Sequence, residues 1–133
     1  MGENQMITCT QVTDATVRAL YRAETSLPPW VLERIKEGLE RETNPLARSQ
    51  LQFMLDNVSL AGSRGLPICQ DTGVACVFLK IGQDVHINGD LTEAVNEGVR
   101  RGYRDGYLRK SVVKDPLRRV NTGDNTPAML YIE

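Results

Sequence analysis

The sequence predicts an α+β fold in which N-terminal helices pack on a small sheet containing a β-hairpin, followed by a further helix and a terminal strand. Three observations support this. Apolar residues recur at helical spacing through the first half of the chain; a short apolar, β-branched run follows; and a later helical stretch precedes a final apolar run. With 133 residues, the chain fits a single domain, residues 1–133, that buries about two thirds of the surface exposed on unfolding.

The first two helices are predicted from apolar spacing. Residues 1–8 carry no pattern, whereas residues 10–24 place alanine and aliphatic side chains at near-helical intervals. A second apolar set at residues 31–39 follows Pro28 and Pro29. Proline suits the first turn of a helix, where its missing N–H is not needed.

Two later helices have stronger start signals. Asn44 followed by Pro45 combines an N-cap acceptor with a proline, and the apolar spacing then continues to Gly62. Asp90 with Glu93 three residues later resembles a capping box and predicts the start of a fourth helix.

The strands follow from shorter patterns. Residues 74–81 are apolar and β-branched, and residues 85–88 alternate. The intervening Gly82-Gln83-Asp84 predicts a hairpin turn between them. His86, the only histidine, is expected to face solvent on the second strand, and residues 128–132 are expected to form the terminal strand.

The fourth helix carries small residues at a spacing of four: Ala94, Gly98, Gly102 and Gly106. An internal glycine costs a helix about 1 kcal/mol relative to alanine, so the stripe indicates close approach of another group. Tight packing against a helix of this chain or of another subunit is favoured over space for a ligand.

Composition excludes several partner classes. Sixteen basic and seventeen acidic side chains leave no electrostatic footprint for nucleic acid or an anionic membrane. No apolar run approaches a membrane span and no signal peptide is evident, so a cytoplasmic location is expected. Cys9, Cys69 and Cys76 lack zinc-type spacing, and Cys76 is expected to pack in the core.

The stretch with the most functional side-chain groups in consecutive positions is Cys69-Gln70-Asp71-Thr72, which lies between Pro67 and Gly73. It places a thiol, an amide, a carboxylate and a hydroxyl in consecutive positions. Proline and glycine predict a tight loop leading into the following strand, and such loops commonly display catalytic groups. A polar turn with a buried cysteine is the alternative.

This stretch, within residues 67–73, resembles the cluster-binding signature of the class I fumarate hydratases and the L-tartrate dehydratase alpha-type proteins. A second block is similar to the same family in the same order: residues 107–111, then Asp115-Pro116-Leu117, then residues 121–128. The resemblance extends from about Thr10 to the end of the chain.

The resemblance implies a hydro-lyase that reversibly hydrates fumarate to L-malate, a tricarboxylic acid cycle reaction, with the open iron of a four-iron, four-sulfur cluster acting as Lewis acid. L-tartrate dehydratase activity is the alternative within the family. By the resemblance, Cys69 is one of three cluster ligands. The other two are expected beyond this sequence, so the isolated chain is expected to lack the cluster and to be inactive.

The resemblance also assigns roles near the open iron. It implies that Gln70 binds a substrate oxygen, that Asp71 takes part in acid-base chemistry or orients the groups that do, and that Arg109 grips a substrate carboxylate. Lys110 is a further substrate-binding candidate. Cys69 is expected to share one cleft with Gln70, Asp71 and Arg109. Alternatives are a turn-capping Asp71, a backbone-bonded Gln70 and a solvated Lys110.

Residues 121–126 are favoured as a structural turn near the site. The chain is interpreted as the N-terminal, apparently truncated portion of an alpha-type domain. Its expected partners are a small dicarboxylate, a C-terminal beta-type domain or separate beta subunit, and copies of itself. A non-catalytic assembly or regulatory domain that keeps only the fold is the competing class.

Overall fold

The α+β class is confirmed. A computed structural model describes residues 5–133 as four helices and four short strands. In chain order these are β1 (Gln5–Thr8), α1 (Cys9–Thr25), α2 (Pro29–Arg41), α3 (Pro45–Arg64), β2 (Cys76–Leu79), β3 (Val85–Asn88), α4 (Leu91–Asp105) and β4 (Met129–Ile132).

The chain divides into two compact units. Unit 1 comprises Met1–Tyr21 and Gln70–Glu133, and unit 2 comprises Arg22–Cys69. The divisions fall inside α1 and between Cys69 and Gln70.

Unit 2 is built on α2 and α3. The predicted cap of α3 is confirmed, because Asn44 Oδ1 accepts hydrogen bonds from the backbone N–H groups of Leu46 and Ala47 at 2.9 and 3.3 Å. Gly65 ends α3 in the left-handed conformation, at φ 64°. Among the residues of these two helices only Ala61 is buried, so the unit has a small core.

Unit 1 is centred on α4. Ala75, Val99 and Tyr103 form a buried cluster to which Leu20, Leu108 and Ala128 add partly buried side chains. Asp90 caps α4 as predicted, since its Oδ1 accepts from the N–H of Glu93 at 2.9 Å. The capping signal in the sequence therefore located the start of this helix.

The small-residue stripe of α4 packs against α1. A Cβ on Gly98 would lie 2.5 Å from Thr16 Cβ and 2.9 Å from the backbone oxygen of Thr13, and a Cβ on Gly102 would lie 2.5 Å from Leu20 Cδ2. The Thr13 hydroxyl donates to the carbonyl of Ala94 at 2.9 Å. The prediction of tight packing against a helix of this chain is confirmed.

The predicted hairpin is wrong. β3 pairs in parallel with β1, and β2 pairs in parallel with β4, which gives two separate two-stranded sheets. Alternation identifies a strand but not its partner. The stretch between β2 and β4 contains α4, which provides the long crossover that parallel pairing requires.

Two further expectations need correction. Residues 5–8 form β1, although residues 1–8 carry no strand pattern; residues 1–4 lie outside the described part. Cys76 is exposed, not in the core, because it points away from the covered side of a two-stranded sheet. His86 is exposed, as predicted.

Within the described part of the chain, every helix is too short or too polar to span a bilayer.

Replacing Gly98 by alanine should destabilise the chain by about 1–3 kcal/mol, because the new methyl group overlaps α1. Gly38→Ala is the matched control, since its Cβ would lie 4.0 Å from Leu51 Cδ1. The control should raise stability by up to about 1 kcal/mol, as alanine is the better helix former. Urea denaturation followed by circular dichroism measures both. Equal effects of the two substitutions would contradict the close contact.

Candidate functional site

The two sequence blocks meet at Gln70 and Arg109. Gln70 Nε2 donates to the backbone carbonyl of Tyr107 at 2.9 Å, and Arg109 Nη1 donates to the backbone carbonyl of Gln70 at 3.3 Å. Both side chains are exposed. The structure thus brings together two of the predicted site residues, which lie 39 positions apart.

Asp71 and Gly73 continue the same loop. Asp71 Oδ1 accepts from the N–H of Thr72 at 2.8 Å, which is the turn-capping arrangement considered as an alternative. The N–H of Gly73 donates to Ser111 Oγ at 3.2 Å. Asp71 remains exposed, so the cap does not withdraw its carboxylate from solvent.

Asn125 connects the loop that contains Gly73 with the loop that contains Ser111 and Val112. It is fully buried, and its Oδ1 accepts from the N–H groups of Ser111 and Val112 at 2.6 and 2.9 Å. Its Nδ2 donates to the carbonyl of Gly73 at 3.1 Å. A single amide side chain therefore satisfies backbone groups on both sides of the candidate site.

The turn predicted over residues 121–126 is confirmed. Asn121 donates to the carbonyl of Lys110 at 2.9 Å and accepts from the N–H of Gly123 at 2.7 Å. Asp124 Oδ1 accepts from both the N–H and the hydroxyl of Thr126, at 3.0 and 2.8 Å. These bonds lower the pKa of the Asp124 carboxyl, and the bond from the backbone N–H of Thr126 has the largest effect.

The positive charges of the site are uncompensated within the described residues. Neither Arg109 nor Lys110 forms an ion pair with a carboxylate of residues 5–133, and both are exposed. An anionic ligand could therefore approach them without displacing a carboxylate of residues 5–133.

Cys69 ends unit 2 with an exposed thiol. Residues 5–133 contain no group of three or more His, Cys, Asp or Glu side chains arranged to hold a metal ion. An exposed thiol is suitable for one ligand position of an iron-sulfur cluster, but the described residues do not complete such a site. The shared cleft expected for Cys69 and Arg109 stays a prediction.

The large cavity of unit 1 lies elsewhere. It has a volume of about 520 Å³ and an apolar lining that includes Val12, Ala15, Val77, Phe78 and Ile87. None of the predicted site residues lines it.

Sequence reasoning missed the backbone carbonyl of Tyr107 and the individual role of Asn125. Tyr107 adopts a left-handed conformation, with φ 58°, and no residue-type signal marks it. Asn125 stands among six turn-forming residues, and only its burial separates it from its neighbours.

Comparison with known proteins identifies relatives over most of the chain. A family model described as fumarate hydratase (fumerase) matches residues 13–133. A Methanocaldococcus jannaschii protein, provisionally named L(+)-tartrate dehydratase subunit alpha, is 32% identical over 123 residues, covering 88% of this chain and 43% of that protein. The L(+)-tartrate dehydratase alpha subunits of Escherichia coli strain K12 and Shigella boydii serotype 4 are 27% identical over 123 residues, covering 92% of this chain and 40% of each relative. The chain thus spans about two fifths of the length of these curated relatives.

Asn125→Ala should destabilise unit 1 by about 3 kcal/mol or more, because buried backbone groups lose their partners. Asn121→Ala, at an exposed position in the same turn, should cost only about 0.5–1.5 kcal/mol. Urea denaturation measures both. Amide exchange at Ser111 and Val112 should accelerate in the Asn125 variant alone; unchanged protection there would contradict the role of Asn125.

The lowered pKa of Asp124 predicts an acid-dependent loss of stability. Because the folded-state pKa lies below the unfolded value near 3.8, the Asp124 contribution is present above that value and disappears as pH falls through the folded pKa. Asp124→Asn should flatten this part of the profile, measured by denaturation at several pH values below about 5. A wild-type slope that persists in the variant would contradict the assignment.

Proposed function

Because the chain belongs to the fumarate hydratase family, whose model matches residues 13–133, we propose that it is part of a hydro-lyase that reversibly hydrates fumarate to L-malate. The family was identified from the two sequence blocks, and that identification is confirmed. One observation supports assigning this activity to particular residues: hydrogen bonds connect the segments of Gln70, in the first block, and Arg109, in the second, and both side chains remain exposed.

Arg109 is proposed to bind one carboxylate of the substrate. A guanidinium donates two parallel hydrogen bonds to a carboxylate, and Arg109 has no competing ion pair among residues 5–133. Its bond to the carbonyl of Gln70 orients one edge of the group. Lys110 is proposed to add positive charge beside it, which favours a dianion over a neutral ligand.

Gln70 and Asp71 are proposed to act on the reacting part of the substrate. The proposed role of the Gln70 amide, which is oriented by its bond to the carbonyl of Tyr107, is to bind a substrate oxygen. The proposed role of the exposed Asp71 carboxylate is to hold or relay a proton.

A four-iron, four-sulfur cluster is proposed as the cofactor of the whole protein, with Cys69 as one ligand and the remaining ligands supplied by polypeptide outside these 133 residues. Such a cluster would supply Lewis-acid assistance to departure of the hydroxyl group. The exposure of the Cys69 thiol supports this assignment, because a buried thiol could not join a site completed by other polypeptide.

Tartrate dehydration is the second candidate, favoured by the names of the relatives. Those relatives are called alpha subunits of L(+)-tartrate dehydratase, so a beta-type partner is proposed here as well, either fused or separate. Both substrates present two carboxylates, and the roles proposed for Arg109 and Gln70 apply to either. Cytoplasmic location and activity only in the assembled protein stay predictions.

The role of Arg109 can be tested on the chain itself. Fumarate titrated into ¹⁵N-labelled protein should shift the amide resonances around Gln70 and Arg109, with a dissociation constant on the order of millimolar. Arg109→Gln should weaken binding about tenfold or more, because a charge-assisted hydrogen bond is lost. Arg118→Gln, at another exposed arginine of the same segment, is the matched control and should bind normally. Equal weakening by both variants would leave only nonspecific charge attraction.

The reaction is tested with the complete protein, joined to its beta-type partner and reconstituted with iron and sulfide without oxygen. Fumarate hydration should be measurable, and Cys69→Ser should lose it together with part of the cluster absorbance. Turnover of tartrate alone would select the second candidate. Undiminished activity and absorbance in the variant would refute Cys69 as a ligand, and absence of both activities in the wild-type assembly would favour a non-catalytic domain.

A further inference from the structure

The large cavity of unit 1 opens along one edge of β2. Residues 77–82 all line it, one after another. A face of a strand presents only alternate side chains, so a consecutive lining places the cavity at the edge of the strand. From the other sheet, β3 contributes only the alternate residues Val85 and Ile87. The cavity is therefore bordered by the edge of β2 and by one face of β3.

This edge of β2 has no partner strand within the described part of the chain, where β2 pairs with β4 alone. On the β4 side, the carbonyl of Leu79 accepts from the N–H of Glu133 at 2.9 Å, and the N–H of Ile81 donates to the carbonyl of Glu133 at 2.8 Å. Backbone groups of alternate residues point to the same side of a parallel strand. The N–H and C=O groups of Phe78 and Lys80 therefore point to the free edge.

The surroundings of these polar backbone groups are apolar. Helix α1 contributes Val12, Ala15 and Ala19 to the cavity, and both alanines are exposed. Lys80 is the only charged side chain among the described residues that line the cavity, and it pairs with Glu133 at 3.8 Å. The cavity is therefore suited to an uncharged occupant and not to a dicarboxylate.

A β-strand is the occupant that fits both the apolar lining and the free edge. A lipid chain or the side of a helix could fill the cavity, but it would enclose the N–H and C=O groups of β2 without hydrogen-bond partners, which is unfavourable. An added strand pairs with those groups and buries alternate side chains. Two strands alone also form a marginal sheet, and parallel sheets are ordinarily covered on both faces.

We propose that a strand from elsewhere in the same, longer polypeptide pairs with the free edge of β2 and places apolar side chains against α1 and β3. This sequence covers 43% and 40% of the Methanocaldococcus jannaschii and Escherichia coli relatives, so more than half of each relative lies outside the compared region. A tethered strand is favoured over a separate protein because the tether keeps its effective concentration high. The proposal concerns the fold of the whole subunit and does not depend on which reaction the subunit catalyses.

Hydrogen exchange resolved to single backbone amides tests the proposal by comparing the 133-residue chain with the complete subunit. The amides of Phe78 and Lys80 should exchange at least about 100-fold more slowly in the complete subunit, because each gains a strand partner. The amide of Ile81, which already donates to β4, is the matched control and should be protected in both proteins. Equal exchange of Phe78 and Lys80 in the two proteins would overturn the proposal.

Proline substitutions distinguish a strand from any other cover. Lys80→Pro removes an N–H from the free edge, where proline is tolerated while the edge is open. In the 133-residue chain its Tm should lie within about 3 °C of that of Lys80→Ala, whereas in the complete subunit it should lie about 5 °C or more below. Ile81→Pro breaks an observed hydrogen bond and should destabilise both proteins. Equally small effects of Lys80→Pro in both proteins would overturn the assignment of a strand.

The source of the strand is tested by leaving out the beta-type partner. Protection of Phe78 and Lys80 in the complete alpha-type subunit alone supports the proposal. Protection that develops only after the partner is added would assign the strand to the partner and overturn the proposal. Because exchange and Tm are measured without turnover, a complete protein with protected amides and no hydro-lyase activity would refute only the proposed function.

Discussion

The candidate site depends on the buried side chain of Asn125. Its amide connects the carbonyl of Gly73 to the N–H groups of Ser111 and Val112, and those segments carry Gln70 and Arg109. Because it is fully buried, each of these bonds replaces water that cannot enter. Exposed residues 39 positions apart can thus be kept close by a neighbour that never contacts solvent. Without this connection, a ligand would have to order the Gln70 and Arg109 segments when it binds, and much of the binding free energy would be lost.

Helices and their caps could be predicted from the sequence because the signals are local. Asn44 and Asp90 cap helices through bonds to residues two or three positions away. The regularly spaced glycines of α4 indicate close packing, because a side chain there would overlap the neighbouring helix. Strand partners depend on distant parts of the chain. The pattern of residues 85–88 is equally compatible with a hairpin and with a parallel pair, and the Gln-Met-Ile-Thr sequence of β1 does not alternate between apolar and polar residues.

The difference between local signals and contacts with distant parts of the chain also decides what could be predicted about the site. Residue types identified Gln70, Asp71 and Arg109 as chemically able side chains, and the structure joins the first and last of them. It could not be predicted that Gln70 would bind the carbonyl of Tyr107, since any residue presents a carbonyl there. The turn around Asn121 and Asp124 was recognisable because its side chains bond to neighbouring backbone. Selecting Asn125 among them required knowledge of burial.

The division of the chain into two units gives each unit its own spectroscopic reporter. Trp30, the only tryptophan, belongs to unit 2, whereas Tyr21, Tyr103, Tyr107 and Tyr131 all belong to unit 1. Tryptophan emission therefore comes only from the α2–α3 unit, where Trp30 is 67% exposed, and the near-ultraviolet dichroism of tyrosine comes from the unit that holds Asn125 and the candidate site, where Tyr103 is buried. Label-free spectra of one unmodified sample can thus reveal whether the units unfold in one cooperative transition or in two.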